Sequence, residues 1–212
     1  MQLWLCCALL VFVAGGCLAQ KPRPCRSPPL LEGSLNVVTQ NGGYSAYGKY
    51  AYDSILRRIR LREVVRHDNE TFITDVLLLY QEHVMYLINP KNKTCQKREL
   101  TSQFHPMKIP CNATLLGQVV LGSLSAPGEG LLVNSWSGET PKEKSQYFLT
   151  FTEFGCLPVS VLFNMPKTGW VVTNFFNIIR GIKDPSVFIP PPFCNNTTLE
   201  TGKKGDFFSA FF

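Results

Sequence analysis

The sequence predicts a mainly β fold of short antiparallel strands in one domain. Three observations carry this reading: apolar runs that alternate with polar residues at period two, clusters of proline, glycine and asparagine between those runs, and cysteines placed far apart along the chain. With aromatic residues at 12% of the chain, many strand faces are apolar on one or both sides. Two curved sheets around a packed core account for that composition. Two curved sheets around a ligand cavity account for it equally, because periodicity does not separate the two.

The elements follow in chain order. Residues 3–13 are an apolar run too short to span a bilayer, and small residues ending in Cys17-Leu18-Ala19 follow it, which reads as a signal peptide over residues 1–19. Its start carries no basic side chain, which leaves an uncleaved anchor as the alternative. Residues 20–29 form a lead-in whose prolines around Cys25 block helix propagation; the folded body is expected over residues 30–195 and a tail over 196–212. About 193 residues after cleavage suit one domain that buries roughly 70% of its unfolded surface.

The clearest strand covers residues 55–65, where Arg58, Arg60 and Arg62 alternate with Ile59 and Leu61, the pattern of a sheet with one wet face. Runs 72–80 and 84–88, joined through Gln81-Glu82-His83 and ended by Asn89-Pro90-Lys91-Asn92, continue it as an antiparallel meander. Further strand runs lie at 117–121, 131–136, 147–154, 159–163 and 170–179, separated by Ala126-Pro127-Gly128, Ser137-Gly138, Pro141 and Pro166-Lys167-Thr168-Gly169. Residues 174–182 stay open between strand and short helix. Phe175, Phe176, Ile178, Ile179 and Ile182 crowd one helical side, while the β-branched residues and Gly181 oppose a helix.

The formal net charge of +6 favours anionic partners, but no Lys/Arg block interleaved with stacking aromatics appears, so nucleic acid is not an expected partner. Once the leader leaves, Cys25, Cys95, Cys111, Cys156 and Cys194 remain, without the close pairs a metal site needs. An odd number leaves at least one thiol free or paired between chains. Asn-x-Ser/Thr sequons at Asn69, Asn92, Asn112, Asn195 and Asn196 agree with secretion and place those asparagines on loops or strand ends facing solvent.

Three segments carry a family likeness: Pro24-Cys25 followed by Pro28-Pro29, then Gly155-Cys156-Leu157-Pro158-Val159, then Val187-Phe188-Ile189-Pro190-Pro191-Pro192-Phe193-Cys194. Between them Tyr52-Asp53-Ser54, Asp75-Val76-Leu77, Asn92-Lys93-Thr94-Cys95 and Met107-Lys108-Ile109-Pro110 fall in matching order. Together they resemble the ependymin family over essentially the whole mature chain. The resemblance implies a secreted or lysosomal glycoprotein with two curved antiparallel sheets in a clam-like half-barrel, few short helices, a hydrophobic cavity similar to that of bacterial lipoprotein carriers, and a homodimeric assembly. It also implies bridges Cys25–Cys156 and Cys95–Cys194, each worth on the order of 4–5 kcal/mol in the chain-entropy picture. Cys111 has no counterpart in the fish-type pattern, and the extra cysteine pair of the mammalian branch is missing near Thr71 and after Cys194. Cys111 is therefore a free thiol or an intermolecular one.

The chemistry points away from an enzyme. His67, His83 and His105 all fall in loops, and neither G-x-S-x-G nor H-E-x-x-H occurs. No cofactor is required. The resemblance suggests calcium, yet there is no EF-hand loop, and the tightest acidic cluster, Asp68-Asn69-Glu70, reads as a solvated turn; sialylated glycans are the other place calcium would sit. Arg58, Arg60 and Arg62 are candidate contacts for anionic lipid headgroups or glycans. Phe72, Val76, Leu78, Met85, Leu87, Tyr147 and Phe151 are candidate cavity walls for a lipid or other hydrophobic molecule. Phe207, Phe208, Phe211 and Phe212 make an apolar tail. The expected function is binding of a hydrophobic ligand; the alternative is calcium-linked adhesion to the extracellular matrix.

Overall fold

A computed structural model describes residues 21–68, 70–140, 144–166 and 168–201. The signal-peptide reading of residues 1–19, Asn69, and the four phenylalanines of the tail lie outside the described residues. Eleven strands run antiparallel to their neighbours in two meanders. The first comprises β1 (Leu30–Thr39), β2 (Tyr44–Asp53), β3 (Arg58–His67), β4 (Glu70–Leu79), β5 (Val84–Asn89) and β6 (Thr94–Glu99). The second comprises β7 (Thr114–Gly122), β8 (Gly130–Glu139), β9 (Gln146–Thr152), β10 (Pro158–Met165) and β11 (Gly169–Arg180). β1 pairs with β11, so the meanders are halves of one curved, unclosed sheet ordered β12-β6-β5-β4-β3-β2-β1-β11-β10-β9-β8-β7, with β12 (Leu199–Glu200) parallel to β6. This is the mainly β fold expected from the residue pattern and the half-barrel implied by the family resemblance, and the helices are two short 3-10 turns, Pro185–Phe188 and Pro192–Cys194.

Register follows the period-two side-chain pattern, and a slip of one residue would turn every core side chain outward. One row of directly opposed residues crosses nine strands on the inner face: Phe72, Val65, Ala46, Val37, Thr173, Val161, Leu149, Trp136 and Leu115. Neighbouring positions on that face complete a core that includes Leu35, Tyr52, Ile59, Leu61, Val76 and Leu78. The segment between β6 and β7 crosses one end of this face: Met107 N donates to Tyr52 Oη at 3.0 Å, and Phe104 stacks on Tyr52 and meets Tyr80 edge-on. The lead-in pairs with that segment, Ser27 N to Met107 O at 3.0 Å and Ile109 N to Cys25 O at 2.9 Å, and the Cys25–Cys156 disulfide anchors it to the turn before β10.

The outer face carries a second cluster, in which Ala51, Leu77, Leu79, Val84, Tyr86 and Ile88 are covered by Phe188 and Cys194 of the strap that follows β11. The Cys95–Cys194 disulfide fixes this strap to β6. β4 and β5 are therefore buried on both faces along much of their length, which explains their unbroken apolar runs.

Two expectations need correction. The strand read over 55–65 begins at Arg58, because Asp53 Oδ1 accepts from the amides of Ile55 and Leu56 at 2.9 Å each and closes a turn there, while its other oxygen pairs with Arg58 at 2.7 Å. The arginine face is also not simply wet. Arg60 is only 5% exposed: its Nε and Nη2 each donate to Asp75 at 2.8 Å and its Nη1 to the Val187 carbonyl at 2.7 Å, while the Arg58 guanidinium lies 4.4 Å over the Phe188 ring. The ladder holds the strap. The open choice at 174–182 resolves as strand as far as Arg180, paired with β1 from Asn174 opposite Asn36 to Arg180 opposite Leu31, with Phe175 inward at 6% exposure and Phe176 outward at 41%.

Two outcomes follow. Arg60→Met leaves Asp75 buried and without its bidentate partner, and should cost about 3–5 kcal/mol in urea unfolding, whereas the double variant Arg60→Met with Asp75→Leu should recover most of that loss. Replacing Cys95 and Cys194 together by serine should lower the urea midpoint and speed amide hydrogen exchange across residues 185–200 more than across β8 and β9; equal acceleration in both regions would contradict a local strap.

Candidate functional site

The segment over Tyr52 covers one end of the inner face and leaves the other end open. There, beside the turns after β1 and β3 and before β11, lies a cavity of about 620 Å³ whose walls include Thr39, Tyr44, Val65, His67, Phe72 and Thr74. Its rim is built locally. Gly42 takes φ +68°, Thr39 Oγ1 donates to Asn41 Oδ1 at 2.8 Å, and the Tyr44 amide donates back to Thr39 Oγ1 at 3.1 Å, so the β1–β2 turn holds Tyr44 at the opening. Tyr44 meets His67 edge-on at 6.1 Å, and His67 Nδ1 lies 3.0 Å from the exposed Asp68 carboxylate.

Glu63 shares the inner face with Ile59, Leu61 and Val65, one alternation inward from Val65, and is only 4% exposed. It stands directly opposite Thr74 on β4 and Gly48 on β2. A Cβ at position 48 would lie 2.7 Å from both Cα and Cγ of Glu63, so glycine there is what lets the carboxylate stem lie flat against β2. No described residue gives Glu63 a hydrogen bond or ion pair, and burial pushes its carboxyl up from 4.5 to about 7. Burial, and then the Glu63 charge, push the Tyr44 phenol well above its usual range. Thr74 Oγ1 and Tyr50 Oη on the same face are buried without a partner.

The expected site residues separate. Of the expected cavity walls, Phe72 lines this space at 44% exposure; Val76, Leu78 and Met85 are packed at 1% in the core with Leu87 against them, and Tyr147 and Phe151 belong to a separate cluster around Trp136 and Ile109. They fill the wall where a ligand was expected to. Arg58 and Arg60 are committed to Asp53 and Asp75, while Arg62, its side chain 53% exposed and 3.4 Å from Asp75, borders an outer-face cavity of about 520 Å³ with Lys49, Lys183 and Asp184. Asn92, Asn112, Asn195 and Asn196 are all exposed, and so is the free thiol of Cys111. Among the described residues no group of three or more His, Cys, Asp or Glu side chains comes together to hold a metal ion, so they form no calcium cage. Glu63 and Thr74 were missed by sequence reasoning. The available signal was the series Ile59, Leu61, Glu63, Val65, in which one charge interrupts an otherwise apolar phase.

The raised Glu63 carboxyl makes stability depend on pH with a defined sign. The folded state holds the proton more tightly than the unfolded chain, so the contribution is fully present below about pH 4.5 and is lost as pH rises through about 7. Glu63→Gln should therefore raise the free energy of unfolding in urea at pH 8, by on the order of 3 kcal/mol at most, and change it little at pH 4. A variant equally displaced at both pH values would contradict a buried titrating carboxyl.

Comparison with known proteins places this architecture. The fold is similar to the crystal structure of an uncharacterized conserved protein from Thermus thermophilus, with a TM-score of 0.52 at 10% identity over 85% of this chain and 91% of that one. In sequence, the chain is 38% identical to Ependymin-2 of Carassius auratus over 178 residues, 84% of this chain and 82% of that protein. It is 35% identical to Ependymin-1 of Oncorhynchus mykiss over 216 aligned positions, covering 100% of this chain and 95% of that protein. The sequence profile of the family described as Ependymin matches residues 68–194, from the rim of the cavity at Asp68 to the strap cysteine Cys194. Both long-range disulfides and the half-barrel thus sit in a chain that belongs to the ependymin family.

Proposed function

We propose that this protein is a secreted, non-enzymatic glycoprotein that binds a lipid or other hydrophobic molecule against the inner face of its half-barrel. The observation that supports the reading best is the open, mainly apolar cavity of about 620 Å³ at the uncovered end of that face, with Phe72 half exposed at its wall. That volume lies within the usual range for small-molecule sites, and each methylene buried there contributes roughly 0.8 kcal/mol. A single alkyl chain thus needs few polar contacts. His67, His83 and His105 are exposed; His67, expected in a loop, is the last residue of β3. The leader-like start and the exposed sequons at Asn92, Asn112, Asn195 and Asn196 support passage through the secretory route, to extracellular fluid or the lysosomal lumen.

The same exposed sequons favour one competing reading, in which glycans and surface charge mediate calcium-linked adhesion to extracellular matrix, as a homodimer or a monomer. The two readings part on what fills the interior. Protein secreted from animal cells should carry stoichiometric lipid by native mass spectrometry and solvent extraction, and Phe72→Asp should lose it while remaining folded. A clean mass, with no uptake of a fluorescent long-chain alcohol, would overturn the carrier reading and leave adhesion.

A further inference from the structure

The cavity is apolar in most of its wall and polar at its inner end. Tyr44, Val65 and Thr74 all line it, and Glu63 is the next inner-face residue beyond Val65, roughly 7 Å further along β3. Two polar groups stand opposite each other at this level of the sheet, and a third, Tyr44, stands at the opening. Glu63 is almost fully buried with no hydrogen-bond or ion-pair partner among the described residues, the directly opposed Thr74 has a buried hydroxyl with no partner, and the Tyr44 phenol feels the Glu63 charge. Buried polar groups in native proteins find partners almost without exception, so the orphaned Thr74 hydroxyl, with the Glu63 carboxyl directly opposite on the neighbouring strand, calls for an occupant. A packed wall had no need of them: the equivalent positions along β3, Ile59, Leu61 and Val65, are aliphatic and buried.

The occupant's chemistry follows from what the site lacks. No lysine or arginine is among the described residues lining the cavity; its ionisable wall residues are Tyr44, His67 and Asp68, the last two exposed at the rim. The whole chain carries a formal charge of +6, yet no lysine or arginine lines this recess, and Glu63 stands one alternation beyond its lining residue Val65 and directly opposite its lining residue Thr74. A carboxylate head entering it would meet Glu63 as a like charge. A protonated amine or a hydroxyl would instead donate to Glu63 and Thr74, and charge-assisted hydrogen bonds of that kind are the strong ones.

We infer that Glu63 and Thr74 form a headgroup anchor at the inner end of the cavity, selecting amphiphiles whose heads donate hydrogen bonds, long-chain amines first and alcohols next, over fatty acids. This rests on the proposed hydrophobic cavity. The alkyl chain lies along Val65 and Phe72 toward the opening, and the head supplies the partner that the buried Thr74 hydroxyl lacks.

The test is displacement of a fluorescent long-chain alcohol by dodecylamine, dodecanol and dodecanoate, each below its micellar concentration, at pH 8. The wild-type protein should prefer dodecylamine to dodecanoate by about tenfold or more. Glu63→Gln should reduce that preference to about threefold or less while dodecanol still binds, and Thr74→Val should weaken dodecanol and dodecylamine together. A wild-type far-ultraviolet circular dichroism spectrum and a cooperative urea transition show that each variant is folded. Equal binding of all three heads, a preference for dodecanoate, or an amine preference untouched by Glu63→Gln would overturn the anchor and leave the carrier reading standing. No binding of any chain, in wild type or variant, would overturn both.

Discussion

The antiparallel ladder between β1 and β11, which sets Leu31 opposite Arg180 and Thr39 opposite Val171, makes the rest of the molecule possible. Without it the chain would be two separate meanders, each with one face unable to reach a partner. With it, the apolar inner face runs uninterrupted from Phe72 on β4 to Leu115 on β7 and curves around a shared interior. Loop closure makes such a pairing entropically costly, since nearly the whole body of the domain lies between the two strands. Both disulfides shorten that search: one joins the lead-in before β1 to the turn before β10, and the other joins β6 to the segment just after β11.

Coverage of the sheet is uneven, and the unevenness decides where a ligand can go. On the outer face the strap lies over the end of the first meander that carries Ala51, Leu77 and Leu79, while Tyr47, Val64 and Ile73 toward the other end are 57%, 50% and 62% exposed. On the inner face the segment carrying Phe104 and Met107 covers that same end, leaving the opposite end to the cavity. Both coverings are pinned by polar contacts inside apolar surroundings, Arg60 to the Val187 carbonyl and Tyr52 to the Met107 amide. Contacts of this kind add little net stability and much positional definition, because a shifted strap would leave Arg60 and Asp75 buried and unpaired.

Much of the fold was legible in the sequence where local pattern and tertiary role agree. β3 shows its alternation plainly, β4 and β5 show the solid apolar runs of strands covered twice, and Asn89-Pro90-Lys91-Asn92 sits where the chain turns. β1 and β2 gave weaker signals, because Gly33, Asn36 and Gly48 look like breakers until their neighbours are known: the Tyr50 ring crosses the space beside Gly33, and Glu63 lies over Gly48. The arginine ladder misled for a related reason. Period two says which residues share a face, and says nothing of a strap brought from more than a hundred residues away to cover it. The same limit applies to the cavity. Val76, Leu78 and Met85 carry the composition of a ligand wall, but whether such a wall is filled by protein or by ligand depends on the segment between β6 and β7, whose path no periodicity encodes.

Glu63 stands where the local rules and the structure part company. Every other reason in the strand favours an aliphatic residue at that position: its face is the core face, its neighbours are Leu61 and Val65, and glycine opposite it opens room that an isoleucine would fill. A carboxyl there, facing a threonine hydroxyl without a partner, weakens the folded state at neutral pH, because burial disfavours its charge. Sequences that specify a single fold tend to break such rules at functional sites and to make up the loss elsewhere. Here two long-range disulfides and strands packed on both faces supply that reserve. The reserve lies mostly in the covered end of the sheet, and the exception lies at the open end, which is the distribution expected of a rigid cup holding a site at its mouth.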